Sequence, residues 1–126
     1  VSVVAAVIQA LIAAGPVYGR TSNRIYNSRP PQEAQLPSLT VVKTSEREPY
    51  GLDAATGFRE ARVVVMCRAV SAAGADYLGD DVIAALKNYR AGEVTMQRDV
   101  IDRLEAVDAD GKQFFVRTIG FVVWHS

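Results

Sequence analysis

One cysteine and one histidine in 126 residues leave little material for the commonest site chemistries. With Cys67 alone no intrachain disulfide is possible, and a lone thiol inside ARVVVMCRAV reads as a small core residue. His125 stands next to last, where a solvent-exposed or interface role suits it better than that of ligand or base. CxxC, GxSxG and HExxH do not occur, and GPVYGR has neither the length nor the Lys-Ser/Thr ending of a phosphate loop. DADG holds too few carboxylates for a calcium loop and is explained by turn chemistry. In the acidic cluster Asp76, Asp80 and Asp81, Asp76 and Asp80 lie one helical turn apart with no third ligand visible, so the cluster reads as a solvated helix face. We therefore expect no enzyme, no catalytic or metal residue and no cofactor.

An excess of charge is also missing. Fourteen basic residues balance fourteen acidic ones, so no overall field gathers nucleic acid or an anionic membrane. The apolar opening VSVVAAVIQALIAAG is interrupted by Gln9, is too short to span a bilayer and has no basic lead like that of a signal peptide. The expectation is a cytoplasmic, disulfide-free protein with no membrane partner. No internal repeat or low-complexity tract occurs.

What remains is an ordinary globular composition, 49% hydrophobic and 22% charged, in a length that suits one domain over residues 1–126. Val4, Val7, Ile8, Leu11 and Ile12 share one helix face, and Gly15-Pro16 stops that helix. RIYN is a candidate short strand. The double proline after it puts Ser28 to Pro31 in extended conformations and removes two backbone donors, which suits a sheet edge or the surface. SLTVVKT alternates as a strand, with Leu39 and Val41 on one face. SEREPYGLDAATGFRE, residues 45–60, reads as a long connection.

ARVVVMCRAV is apolar on both faces, as a strand buried on both sides would be. A second helix is expected over about Ala75 to Tyr89, with Leu78, Val82, Ile83 and Leu86 inward and Asp76 near its start. Strands over about Gln97 to Val107 and Gln113 to Trp124 close the chain as a hairpin at Asp110-Gly111. The sum is an α+β fold: a single mixed or antiparallel sheet of four to five strands with two helices packed on one face. Two helices cover one side of such a sheet, yet two strands are apolar on both sides. A second copy or a partner packed on the open face is the economical answer, and strong twisting that closes the sheet on itself is the alternative.

Taken in order, the apolar first helix, RIYNSRPPQEAQLPSLTVV, the loop SEREPYGLDAATGFRE, the strand ARVVVMCRAV, the helix DYLGDDVIAALKN and the strand pair around DGK resemble the tail terminator (tail completion) proteins of long-tailed bacteriophages and gene-transfer particles. The sharpest element is the tyrosine, double proline and Gln32, followed by Pro37 and a β-run. The resemblance implies a virion structural protein: a hexameric ring on the head-proximal end of the tail, partnered by the tail tube protein and the head-tail connector.

Aromatic and arginine residues are enriched at interface centres. Tyr26 and Arg29 beside the prolines, and Arg47, Tyr50, Phe58 and Arg59 in or beside the long loop, are accordingly the expected interface residues. The stiff proline lead reduces the entropy lost on docking. Another neck or connector protein of the same particle is the nearest alternative. A small regulatory or nucleic-acid-binding α+β module is a further one, for which Arg20, Arg24 and Arg29 with Tyr18 and Tyr26 form the nearest thing to a basic-aromatic patch, though the balanced charge favours a protein partner for it.

Overall fold

Ser2 accepts the Ala5 N–H on its hydroxyl at 3.2 Å and so starts helix α1, Val3–Ala13. The computed structural model describes residues 2–30, 35–47, 59–92, 94–109 and 111–125. Val3, Val4, Val7, Ala10 and Leu11 bury one stripe of α1, while Ile12, expected on that stripe, is 41% exposed. Gly15-Pro16 ends this helix and also opens another, α2, Gly15–Thr21, because the proline sits in the first turn, where a missing N–H costs nothing. The two axes bend by 93°, and neither helix is long enough to cross a membrane by itself.

Six strands follow in chain order: β1 Ile25–Asn27, β2 Ser38–Arg47, β3 Arg59–Ala69, β4 Arg90–Ala91, β5 Val94–Ala109 and β6 Lys112–His125. A third helix, α3, Ala72–Leu86, lies between β3 and β4. The sheet order is β1-β2-β3-β6-β5-β4, with β1 parallel to β2 and the other pairs antiparallel. The class is α+β with a mixed sheet, as expected, but with three helices and six strands in place of two and four to five. The extra elements are short: α2 was hidden by reading Gly-Pro only as a stop, and β4 has two residues.

Hydrogen bonding also lengthens the strands into the expected loop: Ser45–Arg47 extend β2, and Arg59 and Glu60 open β3. The long connection over 45–60 therefore contracts, and residues 48–58 lie outside the described ones. Ser28, expected to be extended, has a φ of 66°; its N–H donates to the Val41 carbonyl at 2.8 Å. Proline restricts the residue directly before it, which is Arg29, and not the one before that. Pro31 lies outside the described residues.

α3 starts at Ser71, whose hydroxyl accepts the Gly74 N–H at 3.0 Å, and buries Ala75, Leu78, Gly79, Val82 and Leu86. Asp76 falls beyond its first turn, so its expected dipole role gives way to the ion pair described below. The hairpin forms where expected, with Gly111 at a φ of 76° that a residue with a Cβ resists.

The described helices all pack on one face of the sheet. There Leu39 and Val41 of β2, Val63, Val65 and Cys67 of β3, and Ile119, Phe121 and Val123 of β6 meet the helices' buried stripes. Cys67 is the small core residue expected, and burial pushes its thiol up to about 12.

Candidate assembly surfaces

Register dictates what the opposite face carries. Val42 pairs with Val64 and Thr40 with Met66, while Met66 also pairs with Thr118 and Arg62 with Val122. Val42, Val64, Met66, Phe114, Val122 and Trp124 therefore share that face, each half-buried, and no described helix packs on it. The two-sided apolar pattern of β3 and β6 thus has a physical counterpart: one side meets the helices, the other does not. A hollow of about 320 Å³ in this face is walled by Met66, Val116 and Phe114, with Arg68, Arg103 and Glu105 at hand. Arg68 donates to the Thr40 hydroxyl and has no carboxylate partner among the described residues; burial pulls its pKa below the ordinary arginine value.

On the helix face, Arg117 of β6 joins three elements. Its Nε and Nη2 each donate to Asp102 of β5 at 2.9 Å, and Nη1 donates to the Asp80 carboxylate and the Asp76 carbonyl of α3, both at 2.9 Å. The bidentate pair holds Asp102 below the usual carboxylate range and raises Arg117 above the usual arginine value. Gly79 makes room for this side chain, since a Cβ there would lie 2.6 Å from Arg117 Cδ. Asp76 and Asp80 are therefore counter-ions and not merely a solvated face; Asp81 likewise pairs with Arg20, which also lies over the Tyr77 ring. Spacing along the helix carried no sign of a cation arriving from 37 or more residues away.

Among the expected interface residues, Tyr26 lies half-buried on β1 and Arg29 is exposed just beyond it, with no ion-pair partner among the described residues. Arg47 is exposed and pairs with Glu60 at 2.8 Å, across the β2–β3 register. Arg59 is exposed and pairs in register with His125. Tyr50 and Phe58 lie outside the described residues. The structure thus places Tyr26 with Arg29 at one sheet edge, and Arg47 with Arg59 at the distal end of β2 and β3.

The basic-aromatic patch is largely taken up by contacts within the chain. Arg20 pairs with Asp81, Arg24 donates to the Pro37 and Arg20 carbonyls, and the Tyr18 hydroxyl donates to Asn23, so three of its five members are engaged within the chain. His125 corrects an expectation: it is 4% exposed and lies 2.7 Å from Glu46, because the last strand is paired to its end. That hydrogen bond, the larger cause, and Lys43 hold Glu46 below its ordinary value.

Sequence reasoning set the proline lead beside β1 at a sheet edge or the surface but missed the β5 edge. β1 ends the sheet on one side. On the other, β4 pairs with Val94 and Thr95 alone, so from Gln97 to Ala109 no described strand covers the outer edge of β5. That strand breaks register between Arg98 and Asp102 and exposes Val100 (95%), Ile101 and Leu104. Its alternation is too charged to announce a strand of this length.

No family profile and no curated protein sequence matches the chain. Among solved structures it is similar in fold to a chain of a particle described as the virion of a native gene transfer agent (GTA), at a TM-score of 0.68 and 17% identity. The match covers 99% of this chain and 96% of that one, so the likeness in fold runs over the whole chain.

Proposed function

We propose that this protein is a structural component of a tailed-phage or gene-transfer-agent virion, and that it acts as a tail terminator. Copies form a ring, hexameric by the resemblance, on the head-proximal end of the tail. The ring stops tube polymerisation and offers the head connector a surface. Catalysis, a cofactor and specific nucleic-acid recognition have no part in this role.

The observation that carries the reading is the end-to-end likeness in fold to a chain of a GTA virion, in agreement with the order of sequence elements. The half-buried apolar sheet face and the two open sheet edges supply what a ring subunit needs, namely different patches facing different neighbours. Tyr26, Arg29, Arg47, Tyr50, Phe58 and Arg59 are the contacts proposed for those neighbours.

The test is electron microscopy of particles from a producer whose copy of this gene carries an early stop codon. Overlong tubes detached from filled heads are expected. Tubes of normal length with unjoined heads would move the protein to another position in the neck, and intact particles would refute a virion role.

A further inference from the structure

The open face of the sheet carries one arginine whose charge no described carboxylate answers. Strand register sets Ser38, Arg68, Val116 and Glu105 in one row and Thr40, Met66, Thr118 and Arg103 in the next. The hollow of about 320 Å³ opens over these rows, with Met66, Val116 and Phe114 as its apolar walls. Glu105, the one carboxylate among the described residues lining it, stands two strands from Arg68 and takes Arg103 at 3.0 Å, so that pair is neutral. Arg68 is half-buried and donates to the Thr40 hydroxyl and the Met66 sulfur, neither of them charged. Burial pulls its pKa down, and no described carboxylate opposes that shift. Beside it in register, Ser38 is fully buried, and its hydroxyl has no hydrogen-bond partner among the described residues.

We propose that this hollow is a socket for an acidic side chain of a partner protein, carried on a segment whose neighbouring residues are apolar. Arg68 supplies charge-assisted hydrogen bonds through the N–H groups that Thr40 and Met66 leave over, and Met66, Val116 and Phe114 take the apolar flank. A guanidinium drawn out of water without a counter-ion costs stability, and a carboxylate arriving from outside removes that cost, so the occupant is acidic. The surround favours a protein segment over a free inorganic anion. Val42, Val64, Val122 and Trp124 continue the same half-buried face beyond the hollow, and a small hydrated anion would cover none of it. The socket is a further site and does not rest on the virion role.

The experiment is an NMR titration of the isotope-labelled full chain with two blocked peptides, acetyl-Leu-Glu-Leu-amide and acetyl-Leu-Gln-Leu-amide. The acidic peptide is expected to move the backbone amides of Met66, Arg68 and Thr118 and to bind with a Kd of about 1 mM, and the neutral one at least about tenfold more weakly. Arg68→Met is expected to abolish that preference, whereas a merely structural Arg68 would weaken both peptides alike. Arg68→Lys keeps the charge but not the planar fork; it should cut the preference at least about threefold, and it serves where Arg68→Met fails to fold.

Equal binding of the two peptides, no shift at these amides up to about 10 mM, or an acidic preference that survives both Arg68 variants would each overturn the proposal. Inorganic phosphate that moves the same amides as strongly as the acidic peptide would replace the protein partner by a free anion and overturn it as well. So would tighter binding of the acidic peptide by Glu33→Gln than by the wild type, since the chain's own Glu33, the acid nearest Ser38 in sequence, would then be the occupant. These measurements use the isolated chain, so their failure leaves the particle experiment unaffected, and intact particles without the gene would leave the socket standing.

Discussion

Replacing Arg117 by methionine keeps the aliphatic stem and deletes the group that ties α3 to the β5–β6 hairpin. The side chain is 11% exposed and makes two bonds to Asp102, one to Asp80 and one to the Asp76 carbonyl. Asp80 is 66% exposed, so its share is screened and small. Asp102 is 27% exposed, and its bidentate pair carries most of the effect. Hydrogen bonds to charged groups contribute about 1.5–3 kcal/mol each and do not add fully, so we expect a loss of about 2–4 kcal/mol.

For a chain of this length 1 kcal/mol corresponds to roughly 4 °C in Tm, so thermal unfolding should shift down by about 8–16 °C. Urea denaturation at pH 7 measures the free energy directly, and Asp102→Asn completes a double-mutant cycle with an expected coupling of about 1–3 kcal/mol. The pH dependence has a fixed sign. The folded-state pKa of Asp102 is depressed, so its contribution is present above the unfolded value, about 4, and is lost as pH falls through the lower folded value. Wild type should therefore lose more stability than Arg117→Met on acidification below about pH 4. A loss under about 1 kcal/mol, with equal acid sensitivity, would mean that Arg117 behaves as an ordinary surface ion pair and that the reasoning is wrong.

Other outcomes follow from burial. Gly79→Ala drives a Cβ into the Arg117 stem and should cost about 1–3 kcal/mol by the same urea assay. Phe121, fully buried among the sheet's helix-facing residues, should cost about 3–5 kcal/mol when cut to alanine. Val100→Asp, at a residue 95% exposed, should leave unfolding within about 0.5 kcal/mol; a larger loss would place Val100 in the fold and not on an assembly edge. Cys67, with its thiol pushed up to about 12, should resist a thiol reagent at pH 8 until the protein is unfolded in denaturant.

Short-range pattern accounts for much of this fold. The i, i+3, i+4 spacing in α1 and α3, the alternation in SLTVVKT, the two-sided apolar runs of β3 and β6 and the Asp-Gly turn each name their element without help from distant residues. The same pattern implied an apolar sheet face left without helices, because a strand's two faces are written in its odd and even positions.

Partners far apart in sequence lay beyond it. Arg117 meets Asp80 and Asp102, and His125 meets Glu46, because strand pairing brings those positions together. The ends of the 45–60 connection became strand because β2 and β3 had partners to extend along, and hydrogen bonding to a neighbour outweighs a charged, proline-containing composition. Composition alone determined a neutral chain with one thiol and enough apolar residues for a core. That His125 is buried, which charges pair and which strands end the sheet, tertiary structure decided, since burial and edge position depend on neighbours that local sequence does not specify.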